Sequence, residues 1–254
     1  MRLLPRSNRA SEPRTAFDAI DRDRMPRHVA IIMDGNRRWA RERHLPAAEG
    51  HRRGIASLRE ATRFCKDWGI PILTVYGFST ENWKRDPREI SLLMELCVFF
   101  ARHELAELQR NGVRVNVIGD YRALPTACVE ALDELMARTA ANGDVVLNLA
   151  VNYSARAELL HAARALARDV RSGKQDPETI DDSTLASYLF TADFPDPDLL
   201  IRPGGEMRLS NFLLYQVAYT ELWVTPTYWP AFTAETFAQA IVEFQGRQRR
   251  FGGT

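Results

Sequence analysis

The chain has 254 residues, 45% apolar and 26% charged, ordinary proportions that exclude a disordered or fibrous protein and fit one large α/β domain. Its 34 basic and 33 acidic side chains leave a net charge of +1, so no global field is available to hold nucleic acid or an anionic membrane. Any anion site must be a local cluster. Only three of the basic residues are lysine (Lys66, Lys84, Lys174), and the arginine excess reads first as base composition. It nevertheless supplies the better side chain for bidentate phosphate contacts.

Residues 1–25 are rich in Arg, Pro, Ser and Asp without a sustained apolar period, which predicts a flexible tail ahead of a single domain over 26–254. The amino terminus lacks the apolar core of a signal peptide, and no apolar run approaches a bilayer span. Cys65, Cys97 and Cys128 have no metal-ligand spacing and read as buried thiols of a reducing cytoplasm.

Strands are predicted at 28–34, 71–78, 113–119, 144–153, 198–202 and 221–226. Most are nearly continuous in apolar content, as strands covered on both faces require. Between them, 51–68 carries Ile55, Leu58, Thr62 and Cys65 on one face and stops at Gly69. The segment 90–110 is apolar over a wide arc, fit to line a cavity as well as to pack. Helices follow at 155–170 and at 236–247, the latter with Thr233 as N-cap. The stretch 171–182 reads as a surface loop. Strands alternating with helices predict an α/β fold: a six-stranded, mostly parallel sheet flanked by helices.

In such sheets ligands bind beyond the carboxyl ends of the strands. The first strand ends in Asp34-Gly35-Asn36-Arg37-Arg38, where glycine permits backbone approach, a helix start adds positive potential and two arginines supply paired donors, a combination suited to a diphosphate. Asp34 is placed to hold an accompanying Mg²⁺. The second strand runs into Ser79, Thr80, Glu81, Asn82, Trp83, Lys84 and Arg85, dense in hydroxyls, an amide and cations. The fifth ends in Arg202-Pro203-Gly204-Gly205-Glu206-Met207-Arg208 before an expected apolar helix, a second anion cradle without a nucleotide-binding fingerprint. Glu221, opening the sixth strand, reads more plainly as a solvated strand-start charge. Two anion cradles beside a long apolar helix imply two phosphorylated ligands, at least one with a greasy body.

The segments HVAIIMDGNRRWA, GH at 50–51, FSTENWKR, NVIGD, RPGGEMRLSNFLLYQ, ELWVTPTYWP and RQRRFGG, in order over about residues 28–253, resemble the cis-prenyltransferases, most nearly the bacterial undecaprenyl diphosphate synthase type. The resemblance implies a six-stranded parallel sheet around a hydrophobic tunnel and a homodimer. It further implies Mg²⁺-dependent condensation of isopentenyl diphosphate with an allylic diphosphate. By motif match, Asp34 and Asn82 are the implied catalytic residues. Gly35, Asn36, Arg37, Arg38 and Trp39 would form the first cradle, with His51, Ser79, Thr80, Glu81 and Trp83 around the reacting groups. Arg85, Arg202, Arg208, Leu209 and Ser210 would hold isopentenyl diphosphate, and Glu221 would join Asp34 as a metal ligand. Because a neutral amide is a poor base, Asn82 is expected to orient a water or a phosphate oxygen. Expected tunnel liners include Leu93, Leu96, Phe99, Phe100, Val146, Leu147 and Leu149, and the smallness of Gly77 favours long products.

Three positions depart from the family pattern. Pro46-Ala47-Ala48-Glu49 lacks an arginine common there, for which Arg41 or Arg43 would compensate. Ser154-Ala155 replaces a glycine pair, and Ala231 an aspartate. The leading expectation is a long-chain synthase making a polyprenyl carrier lipid diphosphate, with transient membrane contact for product release. The alternative is a short-chain or irregular, branching coupling enzyme. A non-catalytic partner subunit is disfavoured by the retained Asp34, Asn82, Arg202, Arg208 and Glu221, and nucleic-acid binding by the net charge and the lack of a recognition module.

Overall fold

The protein, seen here in a computed structural model, is described over residues 15–248. The six apolar runs become β1 (His28–Ile32), β2 (Ile72–Ser79), β3 (Val113–Ile118), β4 (Val145–Tyr153), β5 (Leu199–Pro203) and β6 (Glu221–Thr225). They form one sheet in the order β3-β4-β2-β1-β5-β6, parallel throughout. Eight α-helices flank it: α1 (Asn36–Glu42), α2 (Ala47–Trp68), α3 (Pro87–His103), α4 (Leu105–Arg110), α5 (Thr126–Thr139), α6 (Ala155–Arg171), α7 (Asp182–Ala186) and α8 (Ala234–Gly246).

Side-chain alternation divides the core. Val29, Ile31, Leu73, Val75 and Leu147 face one large cluster shared with α2, α3, α5 and α8. Ala30, Ile32, Ala150 and Leu200 face a smaller cluster closed by Phe212 and Leu213. On that second face a file of polar residues crosses four strands. The His28 ring meets Thr74 Oγ1 at 2.7 Å, Asn148 donates to the same oxygen at 3.2 Å, and Asn116 donates to Asn148 Oδ1 at 2.9 Å. Buried polar groups that satisfy one another in a single alignment penalise a slipped register.

Helix boundaries follow local chemistry. Asp86 caps α3 by accepting from the Arg88 N–H at 2.8 Å, with Pro87 in the first turn. Gly69 closes α2 in a left-handed conformation. Thr233 caps α8, as expected.

Several expectations are corrected. The predicted helix 90–110 breaks at Glu104, whose buried carboxylate turns inward to the Arg59 guanidinium at 2.5 and 2.8 Å. The apolar helix expected after Arg208 does not form: Ser210, Asn211 and Leu213 all take positive φ, incompatible with helix continuation. Helix α5 was not expected, although Cys128, Ala131, Leu132 and Leu135 carry helical spacing after Pro125.

Of the predicted tail, residues 1–14 lie outside the described residues, whereas 15–25 form two 3-10 turns packed on the domain. The Ala16 and Asp21 N–H groups donate to the Glu235 and Gln245 side chains, each at 2.9 Å, and Phe17 stacks on Trp68. The three cysteines are unpaired thiols, with Cys65 and Cys128 buried. No helix among the described residues is long and apolar enough to cross a membrane.

Candidate active site

The carboxyl ends of β1, β2 and β5 open into one cavity of about 1410 Å³. Its mouth is polar. Its body runs between the sheet and α2, α3 and α5, walled by Leu93, Leu96, Phe100, Leu132 and Leu149. Phe99, an expected liner, points outward and is exposed.

Asp34 is the hub of the mouth. Its Oδ2 accepts from Arg202 Nη2 at 2.9 Å, and its Oδ1 lies 3.1 Å from Arg38 Nη2. Burial alone would raise this carboxyl's pKa, but the hydrogen bond and charge of Arg202, the charge of Arg38 and the Gly35 N–H outweigh it and hold the pKa below the usual value. Arg202 is buried, and it also donates to the Arg208 carbonyl and to Ser210 Oγ, so the two cradles read in the sequence are joined through one guanidinium. Arg38 reaches the Gly204 carbonyl at 2.8 Å and Glu206 at 3.2 Å.

Two glycines make this contact possible. Gly35 has φ +99°, and a Cβ there would strike the Tyr228 ring at 2.6 Å. Gly204 has φ +90°, and its Cβ would strike Arg38 at the same distance.

On the β2 side, Asn82 Oδ1 accepts the Ser79 N–H at 3.0 Å. What this amide offers the cavity is therefore its NH₂, a donor. Arg85 pairs with Glu89 at 2.9 Å, and Arg37 and His51 approach the same carboxylate at 3.5 and 3.9 Å. Burial and the charges of Arg85 and Arg37 lower the His51 pKa to about 4 against the pull of Glu89, so the ring is neutral at pH 7. Three buried polar atoms in the mouth lack a partner: Asn36 Oδ1, His51 Nε2 and Arg202 Nε. Six arginines line the cavity against Asp34 and Glu81, a surplus of positive charge suited to polyanions.

The structure thus gathers Asp34, Gly35, Asn36, Arg37, Arg38, His51, Ser79, Glu81, Asn82, Arg85, Arg202, Arg208 and Ser210 around one cavity. It leaves the others out. Trp39 is stacked under Arg43, Thr80 sits against Glu81, and Leu209 packs beneath the sheet's second face. Trp83 stands behind the mouth, edge-on to Phe78. Glu221 does not join Asp34 within the chain, because it begins β6, at the amino end of the sheet, where it pairs with Arg247 at 2.9 Å. Of the two proposed compensating arginines, Arg41 lines the cavity. Ser154, at the lost glycine pair, accepts from Asn211 at 2.7 Å and caps α6.

The sequence reading missed the counter-charges Glu89 and Glu206. The i,i+4 spacing of Arg85 and Glu89 was the available signal for the first. Among the described residues no three His, Cys, Asp or Glu side chains converge as a metal cage. The donor set instead fits Mg²⁺ held by one carboxylate, with its other ligands from diphosphate oxygens and water.

Comparison with known proteins converges on one group. The family model described as "Putative undecaprenyl diphosphate synthase" matches residues 32–252. An isoprenyl transferase of Heliobacterium mobile is 50% identical over 254 residues, spanning 99% of this chain and 98% of that protein. Among solved structures, lavandulyl diphosphate synthase from Lavandula x intermedia, in complex with dimethylallyl diphosphate, superimposes with a TM-score of 0.87 at 36% identity over 90% of this chain and 98% of its own. A probable undecaprenyl diphosphate synthase from Campylobacter jejuni does so with a TM-score of 0.74 at 32% identity, over 89% and 98%.

Proposed function

The chain belongs to the isoprenyl transferase family and is a prenyltransferase, and on that premise we propose that it condenses isopentenyl diphosphate with an allylic diphosphate of geranyl or farnesyl type to build a long cis-polyprenyl diphosphate, the precursor of a carrier lipid. The observation that carries this reading is the single cavity that couples an arginine-rich mouth to a long apolar body. A C5 unit packed at interior density fills on the order of 100 Å³. A volume of about 1410 Å³, open mouth included, therefore leaves room for a chain of several C5 units beside the diphosphates.

The allylic diphosphate sits against Arg37, Arg38 and the Gly35 backbone, and isopentenyl diphosphate against Arg85, Arg202, Arg208 and Ser210. In the reaction the allylic carbon–oxygen bond breaks, its diphosphate leaves, and the terminal alkene carbon of isopentenyl diphosphate bonds to the allylic carbon. A proton is then lost from the neighbouring methylene.

The arginines stabilise the leaving diphosphate in a mouth whose apolar continuation excludes water from the allylic cation. Asp34 is the residue that would hold Mg²⁺, which supplies further charge neutralisation to the departing group when bound. The Asn82 NH₂ orients a phosphate oxygen or water toward the proton, and neutral His51 offers Nε2 to the same region. Arg41 substitutes for the arginine absent at Ala47.

We further assign a homodimer, a cytoplasmic location and transient membrane contact at product release.

The similarity to a lavandulyl diphosphate synthase solved with dimethylallyl diphosphate supports a short-chain or branching enzyme as the second reading, whereas the long apolar body of the cavity favours the long-chain one. The test is incubation with labelled isopentenyl diphosphate and, in parallel, dimethylallyl, geranyl and farnesyl diphosphates, with Mg²⁺ or EDTA. A Mg²⁺-dependent ladder of long products is expected on the carrier-lipid reading. A single short or branched product from dimethylallyl diphosphate alone would overturn the long-chain reading.

A further inference from the structure

The loop Ser79–Arg85 brings Ser79, Glu81, Asn82 and Arg85 to the mouth, yet it stands beyond the end of β2 with little sheet pairing to hold it. We propose that Asn152 is the positioning residue for this loop, acting through the indole of Trp83. The inference rests on the function proposed above only in what it says about turnover.

The pairing of β2 with β4 is irregular where the loop departs. Tyr76 pairs with Ala150, Phe78 with Val151 and Ser79 with Tyr153, so Gly77 is the extra residue on one strand and Asn152 on the other. Bulges of this kind re-aim a side chain beside a site. Asn152 has φ +48°, a conformation asparagine tolerates better than most residues, and its side chain is buried.

Both ends of its amide are used. Nδ2 donates to the Asp120 carbonyl at 2.7 Å, which fixes the amide orientation. Oδ1 therefore faces Trp83 and accepts the indole N–H at 2.8 Å. The indole in turn packs edge-on against Phe78, whose ring lines the cavity. The loop is thus held from behind by Asn152 through Trp83, and from the other side by Asn211, which donates to Glu81 at 2.8 Å. Trp83 does not line the cavity. Its value to the site is as the handle that Asn152 grips.

The test is a double-mutant cycle with Asn152→Gly, Trp83→Phe and the double variant. Glycine accepts the positive φ, so the first change removes the side chain without adding backbone strain. Phenylalanine keeps the ring contact and removes only the N–H.

Each single variant should lower kcat/KM for isopentenyl diphosphate by about five- to tenfold, the scale of one hydrogen bond. The loss should lie mainly in KM, since the loop carries binding groups, and the double variant should be no worse than either single one. Losses that multiply, or a silent Trp83→Phe beside a damaged Asn152→Gly, would overturn the proposal.

The Trp83 emission, taken as wild type minus Trp83→Phe and compared with the same difference in the Asn152→Gly background, reports the grip without turnover. It should shift to the red and become more accessible to acrylamide in Asn152→Gly. An unchanged emission would overturn the grip, whereas a wild type inert toward isopentenyl diphosphate would overturn the functional reading alone.

Discussion

The two rims of the sheet carry the same residue types and use them in opposite ways. At the amino rim, Asp198 accepts the backbone N–H groups of Arg27 and His28, Glu221 pairs with Arg247, and both His28 ring nitrogens have partners within 2.7 Å. At the carboxyl rim, Asp34, Arg38 and Arg202 also pair, but Arg202 Nε, His51 Nε2 and Asn36 Oδ1 are left over, and the arginines outnumber the carboxylates around the cavity. An ion pair is therefore weak evidence of a site. Surplus guanidinium groups and unpartnered polar atoms in a buried, positively biased mouth are the stronger evidence, because their missing partners define what is to be bound.

The comparison is broken most directly at Asp34. Asp34→Asn keeps the shape but removes the only carboxylate among the described residues that faces both Arg38 and Arg202, and turnover should fall roughly a thousandfold in single-turnover assays. The variant should also melt lower, since buried Arg202 loses its counter-charge. Inorganic diphosphate, which brings its own negative charge, should restore the melting temperature and not the turnover. Retention of more than a tenth of the wild-type rate would remove Asp34 from the mechanism.

At the amino rim the prediction concerns stability alone. Burial, opposed by the Pro195 carbonyl and the Asp198 charge, lowers the His28 pKa from 6.5 to about 4. Nδ1 faces that carbonyl, so the neutral ring donates there and accepts from Thr74 at Nε2. A folded-state pKa below the unfolded value means that the unfolded chain binds the extra proton. The stability present above pH 6.5 is therefore lost as pH falls toward 4, by about 3 kcal/mol for a shift of this size.

His51 titrates in the same direction, but a bound diphosphate stabilises its protonated form and removes its share. Denaturant titrations at pH 7, 5 and 4 with inorganic diphosphate present should thus isolate His28, and His28→Gln should flatten the acid limb. An unaltered slope in that variant would contradict the assignment.

How much of this was legible depended on the kind of signal. The strands were readable because burial on both faces leaves continuous apolar runs, and the mouth was readable because Asp34 and Arg202 sit at strand ends beside glycines, with Arg38 in the first turn of α1. The break at Glu104 was not, since it depends on Arg59 arriving from another helix. The irregular path from Ser210 to Leu213 was hidden by apolar content that reads as helix. Glu221 lies outside the mouth for a different reason: a motif match assigns a role by position in the chain, whereas within one chain the parallel sheet carries that position to the opposite rim from Asp34.

The smallest change in rate should come where the mouth passes into the apolar body. Gly77 is the unpaired residue of the β2 bulge and lines the cavity, and a Cβ built there meets only the Ala150 carbonyl at 3.4 Å and Val151 at 3.8 Å, ordinary contacts. A leucine is therefore admitted by the backbone and takes its room from the cavity. The arginines and Asp34 are untouched, so the rate of the first condensation should stay within about twofold, while the extra side chain removes on the order of one C5 unit of volume. Its position matters more than its volume, because every unit of the growing chain must pass it. The product ladder of Gly77→Leu should accordingly stop several units short of the wild type with early intermediates accumulating. A ladder of unchanged length would mean that the chain leaves the mouth by a path that does not pass β2, and the body walled by α3 and α5 would then lose its role as the product's container.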